Sequence, residues 1–175
     1  MKRILFLMLA VTMLFSLVSC FEETGPAKEE YDPDASGTKA EELKEETFGL
    51  NETAVFENLK ITAVEIKEST GSEYLAPEEG NIFVGVKFLV ENVSSEDQTV
   101  SSLLLFEAYT DDMKSDLSIT ASTSFEGGTI DGTIAPGKKM EGWYAIEVPA
   151  DWGTVEIQMK NELLSSSTAK FVFTK

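Results

Sequence analysis

The chain contains one cysteine, Cys20, and no histidine. Serine and cysteine hydrolases use an imidazole as the base that activates the nucleophile, so no site of that kind can form here. Zinc sites also take their ligands mainly from histidine and cysteine. The glycine pair at 127–128 is not followed by the Lys-Ser/Thr of a phosphate-binding loop. These observations exclude most catalytic and metal chemistry, and we identify no catalytic residue.

Carboxylates are the remaining groups that could catalyse a reaction. The chain has 31 Asp and Glu residues against 14 Lys and Arg, which gives a net charge of −17. A glycosidase needs two carboxyl groups about 5 to 10 Å apart, and so many acids produce such pairs by chance. We therefore expect the protein not to be an enzyme, with a hydrolase as a nominal alternative. The same charge repels nucleic acid, so we expect no nucleic-acid partner.

Three groups of acids in predicted loops could supply oxygen ligands to calcium. They are Asp111, Asp112 and Asp116; Glu78 and Glu79; and Glu96 and Asp97. Hard cations favour clustered oxygen ligands, but no group has the spacing of an EF-hand loop. We favour the interpretation that these are solvated acidic loops, with calcium binding as the alternative. Calcium therefore stays open as a cofactor, and we expect no other.

Aromatic side chains near predicted loops are candidates for a binding surface, because exposed Tyr and Trp often anchor partners. Four such residues are Tyr74, Tyr109, Phe125 and Trp152. Trp152 is the most suggestive candidate, with Tyr109 beside it. We nevertheless favour a packing role for Trp152, as a plug over one end of the fold.

The first twenty residues have the organisation of an export signal. Lys2 and Arg3 precede an uncharged, mainly apolar run at 4–15. A permanent membrane span needs roughly 20 apolar residues, whereas a secretory signal has a shorter run behind basic residues. We therefore predict a signal peptide at 1–19.

The signal ends in a tetrapeptide that resembles the lipobox of bacterial lipoproteins: Leu17, Val18, Ser19 and Cys20. The resemblance implies diacylglyceryl transfer to the Cys20 thiol and cleavage before it. Two acyl chains give stable anchoring, so we expect the membrane as a partner and a location on the outer face of the bacterial cytoplasmic membrane. A plain signal peptide with a chance cysteine is the alternative.

Residues 20–46 form a zone of different composition. Ten acids and three lysines lie between 21 and 46, interspersed with Gly and Pro. Such a segment buries too little apolar surface to offset its ordering entropy. We predict that it is a disordered acidic linker that holds the following domain clear of the membrane.

From residue 47 onward, apolar and polar residues alternate, which is typical of half-buried strands. The predicted strands, bounded by turn residues, cover 59–69, 81–93, 100–109, 139–148, 154–159 and 169–173. In 59–69 the inward position falls on Ala63 or Val64. In 81–93 the residues from Ile82 to Val90 at every second position should face the core, and Trp143 is expected to fill it. No segment has convincing helical periodicity, so we predict one all-β domain at 47–175, an antiparallel β-sandwich.

Two stretches of this domain resemble the DUF4352 family. They are GTIAPGKKMEGWYAIEVP at 132–149, followed by Val155-Glu-Ile157, and FVGVKFLVENV at 83–93. The resemblance implies an immunoglobulin-like β-sandwich, similar in shape to a secreted mycobacterial antigen family and usual on lipoproteins of Gram-positive bacteria. It implies no activity and supplies no catalytic motif. Shared residues such as Pro136 and Gly137 are interpreted as turn architecture.

These observations together favour a non-enzymatic, lipid-anchored module on the cell surface. We expect it to bind or adhere to an unknown protein or envelope partner through a sheet edge or loops. The alternative is a structural or calcium-associated envelope protein without a specific partner. Because sandwiches host many unrelated functions, the fold alone does not decide between the two.

Overall fold

A computed structural model of the chain describes residues 27–30, 47–163 and 167–175. The predicted signal peptide, the lipobox with Cys20 and the rest of the linker lie outside the described residues. Within the described ranges the strands, in chain order, are β1 (Ala27–Glu30), β2 (Thr47–Phe48), β3 (Glu52–Val55), β4 (Leu59–Ser69), β5 (Asn81–Asn92), β6 (Gln98–Val100), β7 (Phe106–Thr110), β8 (Met113–Ser115), β9 (Gly132–Ile134), β10 (Lys139–Pro149), β11 (Thr154–Lys160) and β12 (Thr168–Thr174). Two single helical turns are α1 (Ser102–Leu105) and α2 (Ile119–Ser122).

The strands form two five-stranded sheets and a small ribbon. The first sheet has the order β1-β3-β4-β5-β10, the second sheet has the order β2-β12-β11-β7-β8, and β6 pairs with β9. The predicted β-sandwich is confirmed. Within the described ranges, all pairings between these strands are antiparallel except that of β2 with β12, which is parallel at Thr47 and Phe48. The prediction of a purely antiparallel fold is wrong at this pair. Nearly the whole domain separates β2 from β12 along the chain, and a connection of that length allows two strands to pair in parallel.

The main core lies between the two sheets, and β5 supplies its centre. Val84, Val86, Phe88 and Val90 of β5 are buried there, as predicted from the alternation. Phe88 makes an edge contact with Phe106 of β7 at 5.5 Å and another with Phe171 of β12 at 5.2 Å between ring centroids. Edge-to-face pairs at this spacing add to the stabilisation from buried area. The aromatic contacts thus join the first sheet to the second.

Trp143 of β10 does not fill the main core, and that prediction is wrong. Tyr144 takes the inward position and stacks on Phe106 at 5.1 Å. Trp143 lies on the outer face of the first sheet, in a second buried cluster with Phe83, Phe125 and the alanines 121 and 145. The segment that contains α2 covers this face, so both sets of alternate residues in β10 are buried.

The covering segment packs closely on the sheet. The Phe125 ring stacks on Trp143 at 4.9 Å, and the Trp143 indole N–H donates to the carbonyl of Glu126 at 2.7 Å. A Cβ at Gly85 would lie 2.7 Å from the Phe125 ring. Glycine at position 85 therefore makes room for the aromatic pair.

Residues 100–109 do not form the continuous strand that was predicted. The structure has α1 at 102–105, between β6 and β7. The Ser102 N–H and hydroxyl both donate to the Asp131 carboxylate, each at 2.8 Å. A partner 29 residues away along the chain thus fixes the turn, which no local pattern could indicate.

Residues 27–30 belong to the linker that was predicted to be disordered, and for these four residues the prediction is wrong. They form β1, which pairs with β3 in antiparallel register, with Ala27 opposite Val55 and Glu30 opposite Glu52. Edge pairing uses backbone N–H and C=O groups. A composition poor in apolar side chains therefore does not prevent it.

Asn92, at the end of β5, is fully buried and holds the following loop. Its Nδ2 donates to the carbonyls of Ile134 and Glu96, both at 2.7 Å, and its Oδ1 accepts from the Ser94 N–H and hydroxyl at 2.9 and 2.8 Å. Buried polar groups that lose their partners cost about 1 to 3 kcal/mol each. The loop from β5 to β6 therefore depends on this amide.

We expect Asn92→Ala to lower the free energy of unfolding by roughly 3 kcal/mol, because it leaves buried carbonyls without donors. Equilibrium urea unfolding measures this change. Thr99→Ala removes only an exposed hydroxyl contact with Thr133 and should change stability by about 0.5 kcal/mol or less. Equal effects of the two substitutions would contradict the role given to Asn92.

Candidate functional site

A groove on the outer face of the second sheet is the candidate binding site. Its volume is about 210 Å³, and it runs across β7, β11 and β12 beside the turn between β7 and β8. Its lining is entirely polar or amphipathic: Tyr109, Asp111, Asp112, Thr154, Glu156, Gln158 and Lys170. The groove thus brings together Tyr109, a candidate binding residue, and two candidate calcium ligands, Asp111 and Asp112.

The register of the sheet positions the floor of the groove. Glu156 of β11 lies opposite Tyr109 of β7, and Gln158 lies opposite Lys170 of β12. These residues are half-buried and alternate with inward residues such as Ile157. Side chains of a strand project from alternate faces, so the inward apolar set fixes which polar set forms the floor.

The floor is joined by its own polar contacts. Gln158 Nε2 donates to Glu156 Oε1 at 2.6 Å, and Lys170 Nζ lies 3.3 Å from the same carboxylate oxygen. Glu156 thereby orients both donors. The remaining N–H groups of Gln158 and Lys170, and the Tyr109 ring, are available to a ligand that lies along the strands.

The wall of the groove is a tight turn with both central residues in the left-handed region. Asp111 has φ 48° and Asp112 has φ 66°, which is the geometry of a two-residue hairpin turn and suits Asp. The Asp111 carboxylate accepts from the Gly153 N–H at 3.1 Å and from the Thr154 N–H at 2.8 Å. Asp111 therefore links the β7–β8 turn to the loop before β11.

The predicted calcium ligands do not converge. Asp116 lies outside the groove lining, and Asp111 already accepts two backbone hydrogen bonds. No group of three or more acidic side chains in the described part of the chain is arranged to hold a metal ion. The grouping of Asp111, Asp112 and Asp116 as a metal site is therefore wrong in geometry, because the first two shape a turn.

Trp152 is buried and is not available as an exposed binding residue. Only 4 % of it is exposed, and it belongs to the main core cluster. Its indole N–H donates to Glu68 Oε1 at 2.7 Å, and Lys175 Nζ lies 5.3 Å from the ring centroid. Trp152 therefore packs over one end of the sandwich, which is the role favoured from the sequence.

The other candidates are dispersed. Tyr74 is 86 % exposed and Phe125 is buried against Trp143, so neither lines the groove. The Glu78 N–H donates to Glu147, and the Glu96 carbonyl accepts from Asn92 and Ser94. The sequence pattern missed Glu156, Gln158 and Lys170 as site residues, because their convergence depends on strand order and register.

A model of the family described as a domain of unknown function, DUF4352, matches residues 48–170. The chain belongs to the DUF4352 family. The match includes both stretches on which the resemblance rests. No curated protein matches the chain. No helix within the described ranges is long and apolar enough to cross a membrane.

Solved structures similar to this chain come from several bacteria. A candidate lipoprotein of Bacillus subtilis, ycdA, is 17 % identical with a TM-score of 0.59, over 70 % of this chain and 38 % of that one. The yjhA protein of Bacillus subtilis is 14 % identical with a TM-score of 0.55, over 71 % and 98 % of the two chains. The secreted protein MPT63 of Mycobacterium tuberculosis is 15 % identical with a TM-score of 0.46, over 70 % and 84 %. The likeness to ycdA and yjhA concerns the fold, and this chain spans about two fifths of ycdA.

Glu68 provides a test of the packing around Trp152. Hydrogen bonds from Lys175 and then from Trp152 lower the pKa of the Glu68 carboxyl below 4.5. A folded-state pKa below the unfolded value means that the stabilisation is present above the unfolded pKa and is lost as the pH falls through the folded pKa. Glu68→Gln should therefore be less stable than the native chain near neutral pH, and the difference should shrink below pH 4.5.

Urea unfolding at a series of pH values measures this difference, with Lys175→Met as the matched variant that removes the cation. Lys175→Met should weaken the pH dependence that Glu68 contributes. A stability difference for Glu68→Gln that stays constant through the acid range would contradict the arrangement.

Proposed function

We propose that the protein is a lipid-anchored module on the outer face of the bacterial cytoplasmic membrane, where it binds a protein or envelope partner without catalysing a reaction. The groove over β7, β11 and β12 is the contact region. The observation that carries the proposal is the polar floor of Tyr109, Gln158 and Lys170 on paired strands, where Glu156 orients Gln158 and Lys170. Sites built on strands hold their groups more precisely than sites on loops.

The anchored location is supported by the lipobox-like tetrapeptide that ends at Cys20. The similarity in fold to a candidate lipoprotein, ycdA, points in the same direction.

Binding rather than catalysis is supported by the chemistry of the groove. Its carboxylates serve structural partners, as Asp111 does with the backbone of Gly153 and Thr154. The lining offers two hydroxyl groups, one amide, one ammonium group and three carboxylates, which suit hydrogen bonding to a polar segment of a partner. Aromatic residues beside polar donors are typical of contact surfaces.

A structural envelope protein without a specific partner is the second candidate. The internal contacts of Glu156 with Gln158 and Lys170 favour it, since they satisfy part of the groove without a ligand. The two candidate functions predict different outcomes. Substitutions in the groove should weaken association with a partner if the protein is a binding module, and should leave it unchanged if the protein is a structural envelope protein.

Replacement of the predicted lipid acceptor tests the anchor. Cys20→Ala removes the thiol that would take the diacylglyceryl group, so we expect the protein to move from the membrane fraction to the soluble or extracellular fraction. Immunoblots of both fractions and the intact mass of the native chain provide the measurement. Ser19→Ala keeps a small residue before Cys20 and serves as the control that should stay with the membrane. A Cys20→Ala chain that still sediments with membranes would count against lipid anchoring.

Replacement of Tyr109 tests the groove. We expect Tyr109→Ala to reduce recovery of partners from cross-linked envelope extracts at least about tenfold, in line with the roughly 1.4 kcal/mol or more that an aromatic contact contributes. Tyr74→Ala is the matched control, because Tyr74 is 86 % exposed and lies outside the groove lining. Quantitative mass spectrometry compares the two variants with the native chain. The same partners recovered equally by all three would favour the structural candidate.

A further inference from the structure

The strands of the sandwich run between two ends, and the loops at these two ends differ in charge. At one end, Asn58 joins three loops: its carbonyl accepts from the Val93 N–H at 3.0 Å, its Nδ2 donates to Gln98 at 2.9 Å, and its Oδ1 accepts from Asn161 at 3.1 Å. We name this the Asn58 end, and its described residues are the loops at 56–58, 93–97, 101–105 and 135–138 together with 161–163 and 167. The Asp111 end is opposite and consists of the loops at 70–80, 111–112 and 150–153 together with Lys175.

The chain enters the sandwich at the Asn58 end. β1 begins at Ala27, which lies opposite Val55, next to the turn that contains Asn58. Only six residues separate Cys20 from Ala27. A fully extended chain over this interval spans at most about 25 Å. An anchor at Cys20 therefore keeps the Asn58 end near the membrane surface while β1 is paired.

Exposed leucines lie at the same end. Leu103 and Leu104 of α1 are 74 % and 58 % exposed, and Leu163, in the loop after β11, is 59 % exposed. Two contacts from Ser102 to Asp131 and the burial of Leu105 fix α1 in this orientation. Adjacent exposed leucines on a fixed turn are unfavourable in water and favourable at an apolar boundary.

Exposed apolar residues do not distinguish the two ends, because the Asp111 end also exposes Tyr74 and Met113. The two ends differ in their charge. Among the Asn58-end loops and the strand residues that flank them, four acids accompany three lysines: Glu57, Glu96, Asp97 and Glu162, with Lys138, Lys139 and Lys160. The Asp111 end, counted in the same way, has six acids and one lysine: Glu73, Glu78, Glu79, Asp111, Asp112 and Asp151, with Lys175. Anionic headgroups repel the Asp111 end much more strongly.

We propose that the Asn58 end rests on the lipid bilayer, with Leu103 and Leu104 of α1 inserted among the headgroups. This inference rests on the proposed lipid anchor at Cys20. The occupant of the leucine surface is the bilayer itself rather than a protein partner. The groove on the outer face of the second sheet then opens to the side of the sandwich, with Asp111 and Thr154 at the part farthest from the membrane.

The test uses the full-length lipidated chain in phosphatidylcholine vesicles. The lipid occupies the thiol of Cys20, so a cysteine placed by Leu103→Cys or Leu104→Cys is the only one free to take an environment-sensitive fluorophore. Met113→Cys and Tyr74→Cys are the matched controls, since both positions are exposed at the Asp111 end. Circular dichroism of each labelled chain checks that the sandwich is retained.

We expect a blue-shifted emission at positions 103 and 104 and at least about threefold stronger quenching by spin-labelled lipid than at 113 and 74. Equal, water-like emission at all four positions would overturn the inference, and so would stronger quenching at 113. Intact mass separates this failure from that of the anchor. A chain that lacks the diacylglyceryl mass refutes the anchor and the inference with it, whereas a lipidated chain with water-like emission at 103 refutes the inference alone.

Discussion

The first half of β5 has apolar residues on both of its faces, and the fold has to cover each of them. Every second residue from Val84 to Val90 faces inward and packs against the second sheet, whereas Phe83 and Gly85 face outward. β10 pairs with β5 along all eleven of its residues and has the same double character, with Tyr144 inward and Trp143 outward. The segment around α2 covers the outer face with Phe125. The second sheet has polar residues on its own outer face, which leaves that face partly exposed and able to form a groove.

Alternation predicted the long strands because each of them repeats its pattern several times. β2, β3, β6, β8 and β9 have two to four residues each, which is too short for a period to be read. In β4 the choice between Ala63 and Val64 was open, and the structure has a register shift between Ala63 and Glu65. Ala63 is the buried residue, and Val64 is the extra residue of the bulge. The alternation therefore indicated an irregularity at Ala63 and Val64 but did not show which of the two residues is buried.

The error at Trp143 has a specific physical cause. In β10 both alternate sets contain large apolar residues, so the pattern fixes two faces without deciding which one meets the other sheet. That choice depends on the cover from α2, whose partners are more than fifteen residues away along the chain. The same limit applies to the candidate site. Alternation places Glu156 and Gln158 on one face of β11, but only the register with Tyr109 and Lys170 brings them into one groove.

The charge of the protein makes its orientation at a membrane consequential. Electrostatic interactions in physiological salt decay over a Debye length of about 8 Å. β5 has twelve residues, and at about 3.3 Å per residue the strand separates the two ends by roughly 40 Å. An acidic end at that distance is screened from anionic headgroups by several Debye lengths, whereas the same end at the surface would be repelled. The pairing of β1 beside Val55 therefore matters more than the length of the linker. With the proposed anchor at Cys20, this pairing selects which end lies near the membrane, and it selects the less acidic end, which exposes Leu103 and Leu104.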